Sequence, residues 1–353
     1  MYSVYVKRRT AGWCSALSVA LFAAVAASAA VGPVDIGAGT VAVILFEAAY
    51  GTAADLLRLP EPGVFGGPEK YRTIVVEVRM PRIAVGAVVG LALGASGAVM
   101  QGFFRNPMAD PSIIGISSGA TVGAVAVIVL PFALPFGLQG AAFAGALLAA
   151  FAVYGVATVN GRTGVATLLL AGVAIQTFLG AVVSLMMYFS DDDGLRSAVY
   201  WLMGNLTNRD WSHVSVTLPV VLVGVGVMLA YSRDLNLLLL GEEEAYSLGV
   251  EPQRTKRVLL AVSSITTAAA VAVSGVIGFV GLVVPHVMRI VVGPDHRVLI
   301  PTSALGGAVF LVVADSAARY VLGGAELPVG IVTAFVGVPF FLYLLRTKEV
   351  REL

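Results

Sequence analysis

The sequence predicts an all-helical, polytopic membrane protein, and three observations support this fold class. Of the 353 residues, 58% are hydrophobic and only 12% are charged, whereas an ordinary soluble domain carries about 25% charged residues. Long runs without charge recur along the chain, and most are long enough for the roughly 20 apolar residues that a membrane-spanning helix needs. Because lipid offers backbone groups no hydrogen-bond partners, hydrophobic segments of this length satisfy them by forming helices.

Runs that lack Asp, Glu, Lys and Arg place the expected spans. They cover 10–34, 83–104, 111–161, 163–190, 211–232, 258–288, 298–314 and 327–345. The first of the two longest runs contains a turn signal at Pro131, Pro135 and Gly137. The second is divided by Ser274-Gly275 into a long and a short helix. We therefore expect about ten spans, all within one domain that covers the whole chain, residues 1–353.

Small residues indicate how the predicted helices pack. The chain contains 40 glycines, and small side chains let membrane helices approach closely. The second span carries a small-residue face, formed by Ala92, Gly94, Ala95, Ser96 and Gly97. A short sequence similarity between Ser96–Val99 and Ser274–Ile277 favours an internal inverted repeat, a common arrangement in transporters.

Basic residues predict the orientation of the chain. An even number of spans places both termini on one side, and most of the 22 basic residues then fall on that side, which the positive-inside rule makes cytoplasmic. Residues 1–30 also carry features of a signal peptide, with Lys7-Arg8-Arg9 before an apolar stretch and Ala27-Ser28-Ala29 after it. Since cleavage there would leave an odd number of spans, we expect residues 1–30 to stay as the first helix.

Several functional classes find little support in the sequence. There is no Gly-x-x-x-x-Gly-Lys-Ser/Thr phosphate loop and no His-Glu-x-x-His, and we predict no catalytic residue, metal ligand or bound cofactor. The single cysteine excludes an intrachain disulfide, and a net charge of +1 argues against a nucleic-acid partner. Most spans lack a central charge, which disfavours a secondary carrier with buried carboxylates.

Local motifs resemble one family of transporters. In chain order they are RMPR (79–82), GAVMQ (97–101), RNPMADP (105–111), GISSGA (115–120), LAGVA (170–174), YWLMG (200–204), GFVGLVVPH (278–286), DHR (295–297), Ala314-Asp315 with Arg319, and ELPVG (326–330). Their order and spacing resemble the permease subunits of ABC importers for cobalamin, haem and ferric siderophores. The resemblance covers about residues 75 to 346.

This resemblance implies a ten-helix permease of the type II ABC importer architecture, with an inverted repeat, that works as a homodimer in the lipid bilayer of the cell membrane. Two ATP-binding subunits, which use ATP and Mg²⁺, would dock on its cytoplasmic face and a solute-binding protein on its outer face. Cobalamin is the expected cargo, because the second span and the YWLMG segment look most similar to that branch. Haem and ferric siderophores remain alternatives, and a secondary carrier or an intramembrane enzyme is disfavoured.

The resemblance assigns docking of the binding protein to Arg79, Arg82 and Arg319. Pro81 disfavours helix at the preceding residue and predicts that the second span starts here. Arginines fixed at the membrane edge could then form bidentate pairs with carboxylates of the binding protein. The alternatives are snorkelling to lipid phosphates for Arg79 and Arg82, and for Arg319 an i,i+4 pair with Asp315.

The charged segment at about 234–256 is predicted to couple the permease to its ATPase. Acidic residues favour a helix N-terminus, and Gly249 and Pro252 favour its end. Ala245 and Leu248 would give this short helix an apolar side; the alternative is a solvated acidic loop. The residues assigned to coupling are Gly241, Glu242, Glu243, Glu244, Ala245, Leu248 and Gly249.

A cytoplasmic gate is predicted where two pore-flanking helices end. The predicted gate residues are Asn106, Met108, Val165 and Ala166. The family often carries small hydroxyl residues in the second of these loops. In this chain Val165 and Ala166 take those places, with Thr163 and Thr167 beside them.

Overall fold

The computed structural model of the chain describes residues 2–32, 34–57, 68–130, 137–159, 162–321 and 326–346. The first helices are α1 (Tyr2–Ala30), α2 (Ala38–Leu57), α3 (Glu69–Thr73), a π-helical turn (Ile74–Arg79), α4 (Met80–Phe103), a 3₁₀ turn (Pro111–Ile114), α5 (Ile116–Val129) and α6 (Gly137–Ala157). Two two-residue strands, β1 (Thr158–Val159) and β2 (Arg162–Thr163), then pair antiparallel.

The remaining elements are again helical. They are α7 (Val165–Tyr188), α8 (Asp192–Leu202), α9 (Trp211–Ala230), α10 (Ser232–Leu238), α11 (Glu242–Ser247), α12 (Pro252–Ser274), α13 (Val280–Val292), α14 (His296–Tyr320) and α15 (Val329–Arg346). Apart from the short β1–β2 pair, the regular structure of the described residues is helical, as the composition predicts.

All ten predicted spans correspond to helices. Among the described residues, seven helical stretches are long and apolar enough to cross a membrane: α1, the continuous stretch from α3 to α4, α6, α7, α9, α12 and α14. The three other predicted spans are the shorter apolar helices α5, α13 and α15. The short helix after Ser274 is thus confirmed, whereas Pro131 and Pro135 lie outside the described residues.

One apolar helix, α2, was not predicted. Glu47 and Asp55 interrupt its apolar run, so it contains no charge-free stretch of spanning length. Val41 and Ile44 of this helix are buried in a separate apolar cluster that includes Ala29 at the end of α1. Packing against α1, rather than a long run without charge, accounts for this helix.

The most enclosed helix is α4, which packs against α9, α12, α13 and α14. Three of its glycines face backbone atoms of neighbouring helices. A Cβ at Gly97 would lie 2.0 Å from the carbonyl oxygen of Gly281 in α13, and one at Gly94 would lie 2.1 Å from that of Ser303 in α14. Gly90 meets Gly307 in the same way, at 2.3 Å. The predicted small-residue face is therefore the surface on which the central helices meet.

Replacing Gly97 by alanine is expected to destabilise this packing. The new methyl group would press on backbone atoms of Gly281, which cannot rotate away, so α4 and α13 must separate at a cost of roughly 1–3 kcal/mol. Gly155→Ala in α6 is the matched control, because no atom lies within 4 Å of a Cβ built there. Thermal unfolding of both variants in detergent measures the difference, and equal midpoints would contradict the packing argument.

The prediction that the second span starts at Pro81 holds for its α-helical part, since α4 begins at Met80, but the residues before it are helical as well. Helical structure is continuous from Glu69 to Phe103 and passes through Pro81. A proline ring normally clashes with the carbonyl four residues earlier. Here the preceding turn is π-helical, and the N–H of Met80 donates to the carbonyl of Val75, five residues earlier. The wider turn makes room for the ring, so the proline alters the helical turn without ending the helix.

Candidate functional site

The three arginines predicted to dock the binding protein lie in one buried cluster. We call Arg79, Arg82, Arg319, Asp315 and Glu326 the arginine cluster. The three arginines are only 5–8% exposed, and Asp315 is 2% exposed. The π-helical turn and the start of α4 supply Arg79 and Arg82, whereas α14 supplies Asp315 and Arg319.

Asp315 is the centre of the cluster. Nε of Arg82 donates to Oδ1 of Asp315 at 3.0 Å, and Nη1 of Arg82 donates to Oε2 of Glu326 at 2.6 Å. Nε of Arg319 lies 3.1 Å from Oδ2 of Asp315, which confirms the i,i+4 ion pair. One buried carboxylate therefore contacts two guanidinium groups, and a second carboxylate at the rim compensates part of the remaining charge.

The other guanidinium nitrogens hold the end of α1. Nη1 of Arg79 donates to the carbonyl of Ala29 at 2.7 Å, and Arg79 also donates to the carbonyl of Val34. Nη1 of Arg319 donates to the carbonyl of Val31 at 2.6 Å, and Nη2 donates to Oγ of Ser28 at 2.5 Å. The last turn of a helix leaves carbonyls without partners and carries partial negative charge, so two cations from other helices cap α1.

The arrangement has a consequence for docking. All three side chains have partners within the chain, so a carboxylate from another protein would have to exchange with one of them. Of the two carboxylate partners, Glu326 is the more accessible, with 27% of its side chain exposed. The docking role stays a prediction, and Arg82, the partner of Glu326, is the residue at which we test it.

The predicted coupling helix exists as α11. Gly241 precedes it with a φ of +150°, and Gly249 follows it with a φ of +84°, both in the region that favours glycine. Ala245 is fully buried and packs with Leu238 and Val250. A short helix rather than an extended loop is therefore present.

The predicted apolar side of α11 needs one correction. Leu248 does not share the buried face of Ala245, because it lies past the last helical residue and is 56% exposed. Tyr246, which the sequence analysis did not single out, is 71% exposed. Glu243 and Glu244 are exposed as well. The exposed surface of α11 and the residue after it therefore combines Tyr246 and Leu248 with the glutamate carboxylates.

Two cations attach the coupling segment to the long helices. Nζ of Lys256, near the start of α12, forms an ion pair with Glu242. The guanidinium of Arg105, just after α4, donates to the carbonyl of Leu238 at the end of α10. Arg105 has a φ of +48°, a conformation that side-chain-bearing residues rarely adopt. These contacts join α10 and α11 to the ends of the buried helices α4 and α12.

A third attachment joins α10 to α14. Nδ2 of Asn236 donates to Oδ1 of Asp295 at 2.7 Å, and Oδ1 of Asn236 accepts from the backbone N–H of His296 at 3.0 Å. Asp295 also caps α14 and binds Arg297. Burial opposes ionisation of Asp295, but hydrogen bonds from Arg297 and Asn236 outweigh it and hold the pKa of this carboxyl below its usual value. An ionised Asp295 keeps this link in place at neutral pH.

One predicted gate residue lies beside the coupling segment. A cavity of about 460 Å³ opens between the end of α4, the start of α7 and α11, and Val165 lines it together with Phe104, Glu242 and Lys256. Oδ1 of Asn106 accepts from the backbone N–H of Met108 at 2.9 Å and shapes the loop after α4. Ala166 is exposed at the first turn of α7. The gate assignments stay predictions.

Sequence reasoning missed the residues that attach the coupling segment. Arg105, Asn236 and Lys256 lie in or near recognised motifs, but their partners are 14 to 133 residues away along the chain. A cation or an amide at a helix end does not reveal its partner without the tertiary structure. The DHR motif at 295–297 was the available signal, since an aspartate before a helix indicates a cap.

Comparisons with known proteins agree with this architecture. The model of the FecCD transport family matches residues 20–347. The cobalamin import system permease protein of Halobacterium salinarum is 54% identical, with 98% of each chain covered. The hemin transport system permease protein of Yersinia pestis is 46% identical, over 79% of this chain and 85% of that protein.

A solved structure shares the fold. It is described as an inward-facing conformation of a metal-chelate type ABC transporter, and it is 30% identical with a TM-score of 0.78. The match covers 95% of this chain and 99% of that chain. The chain therefore belongs to the FecCD transport family, and it is a multi-pass membrane protein with the fold of a transporter permease.

Proposed function

We propose that this chain is the permease subunit of an ATP-driven importer of cobalamin. The observation that carries the proposal is its identity, over nearly the full length, to a cobalamin import permease. The chain would form the pore as a homodimer and perform no chemistry itself. ATP and Mg²⁺ would be used by two ATP-binding subunits on the cytoplasmic side, where both termini also lie, and a solute-binding protein would deliver cargo on the opposite side.

The geometry of the coupling segment supports the proposal that this chain forms the pore while partner subunits hydrolyse ATP. A permease without its own ATPase needs an exposed contact surface that is mechanically connected to its spans. The exposed face of α11 offers such a surface, and ties to α4, α12 and α14 connect it to the helix bundle. Haem is the second candidate cargo, because a hemin permease is also a close relative. A ferric siderophore is the third, since an Fe(3+)-citrate import permease of Bacillus subtilis is 38% identical.

Competition between cargoes tests the substrate assignment. The permease is reconstituted in proteoliposomes with its ATP-binding subunits and binding protein, and uptake of labelled cobalamin is measured against an excess of unlabelled cobalamin, haem or ferric siderophore. We expect only cobalamin to compete. Uptake of labelled haem or siderophore that cobalamin does not inhibit would contradict the assignment, and vesicles without the permease give the background.

The docking role of the arginine cluster is tested at Arg82. Arg82→Gln is expected to weaken capture of the solute-binding protein by roughly tenfold or more, the loss expected for a charge-assisted pair. Glu326→Gln is the matched control, because it removes an internal partner and keeps the cation. Capture is measured on folded, monodisperse permease. Equal affinity of the Arg82→Gln and wild-type proteins would show that the arginine is purely structural.

A further inference from the structure

A groove on the membrane-facing side of the bundle combines an apolar wall with a cationic end. It lies between α6 and α12, has a volume of about 160 Å³, and is lined by Ala150, Phe151, Leu260, Ala261 and Ser264 along its length. Tyr154 and Arg257 line its end. Because α6 and α12 are both spanning helices, the apolar part lies within the depth of the bilayer.

The surface around this groove is exposed and apolar. Phe151, which lines the groove, is 55% exposed, and Leu148, one turn earlier on α6, is 71% exposed. On a spanning helix such a face contacts lipid acyl chains. From Arg257 to Ser264 the groove extends about 10 Å along α12, enough for part of one acyl chain to lie lengthwise.

The cationic end has no acidic partner among the residues that the structure describes. Arg257 is exposed, and its Nε donates only to the backbone carbonyl of Gln253 at 3.3 Å. Arg254 is exposed one turn earlier on the same face. Lys256, by contrast, is paired with Glu242. The two arginines therefore present free charge at the edge of the membrane.

The position of these cations on their helix is also unfavourable without a counter-ion. Arg254 and Arg257 fall in the first two turns of α12, where the helix dipole is positive and anions are the preferred neighbours. An anion bound at this end would be attracted by both guanidinium groups and by the helix terminus. A phosphate at the membrane surface has this charge, and the Tyr154 hydroxyl can donate to it.

We propose that the groove between α6 and α12 binds one anionic phospholipid. The headgroup phosphate contacts Arg257 and Tyr154, and one acyl chain lies against Phe151, Leu260 and Ala261. The apolar wall alone would accept the acyl chain of any lipid. The arginine at its end adds the preference for an anionic headgroup. Basic pockets between spanning helices are a recurrent means of recognising anionic headgroups.

The test measures lipid retention on the intact permease. The assembled importer is placed in nanodiscs of phosphatidylcholine with one-fifth phosphatidylglycerol, released, and the lipids that stay bound are counted by native mass spectrometry. Wild-type protein is expected to retain phosphatidylglycerol in preference to phosphatidylcholine. Arg257→Gln should reduce this preference about fivefold, the size expected for one cation at an anionic surface.

Two further variants separate a built site from general attraction. Arg233→Gln removes another exposed arginine, in α10, that does not line the groove, and it should leave retention unchanged. Ala261→Phe fills the groove and keeps every charge, and it should abolish the preference. Equal retention by Arg257→Gln and Arg233→Gln would overturn the proposal, as would undiminished retention by Ala261→Phe. An effect of Arg257→Gln that appears only with the ATP-binding subunits attached would mean a protein contact and would also overturn it.

Discussion

Deletion of Glu242–Gly249 is expected to leave ATP hydrolysis by the reconstituted importer running while cargo uptake falls to background. The reason is mechanical. Tyr246 in α11 and Leu248 just after it are the exposed apolar side chains of this segment, and the deletion removes them together with the Glu242–Lys256 ion pair. An ATPase that lost this surface could still hydrolyse ATP, but its movement would no longer reach α12. Both rates are measured in the same proteoliposomes.

Point variants distinguish loss of coupling from loss of folding. Lys256→Met breaks the tie between α11 and α12 without shortening the chain, and it should lower the amount of cargo moved per ATP hydrolysed. Lys256→Arg keeps the cation and should restore most of this ratio, because an ion pair with Glu242 can still form. A normal ratio in the deletion variant would refute the role of α11.

Asp315→Asn is expected to be the most destabilising single substitution in the arginine cluster. Asp315 is 2% exposed and contacts both Arg82 and Arg319. Asparagine keeps the volume and removes the charge, so two buried guanidinium groups lose their common counter-ion. Removing one partner of a buried ion pair typically costs about 3–5 kcal/mol. The free energy of unfolding in detergent, or the midpoint of thermal unfolding, measures this loss.

Glu326→Gln provides the comparison for this prediction. Its side chain is 27% exposed, and water can solvate the cation that it leaves. The cost should therefore be about 1 kcal/mol or less. If both variants unfolded at the wild-type temperature, the cluster would not be what holds α1 against α4 and α14.

Most of the fold could be predicted from the sequence because lipid imposes a simple rule. A run without charge that is long enough to span must be helical, and eight such runs, two of them holding two helices each, gave the ten predicted spans. The rule failed where a helix carries charge, as α2 does at Glu47. Proline's preference did not predict the helix that precedes Pro81, because a π-helical turn accommodates the ring and only backbone geometry reveals that turn.

The site was predictable to a smaller extent. Gly241 and Gly249 mark the two ends of α11, so the position of this short helix could be predicted. The orientation of its side chains could not be predicted. Whether Leu248 shares the buried face depends on the residue at which α11 ends. The arginines at 79, 82 and 319 were found as motif residues, but their burial depends on Asp315 and on carbonyls of α1. Long-range pairs of this kind have no local signature.

The central claim is that transport through this chain is driven by a partner ATPase. The most direct measurement is uptake of labelled cobalamin into proteoliposomes that contain the permease, with binding protein outside and ATP-binding subunits inside, in the presence and absence of internal ATP-Mg²⁺. We expect uptake only with ATP, and none when the binding protein is omitted. Uptake without ATP that responds to an imposed proton or sodium gradient would contradict the claim and show a secondary carrier.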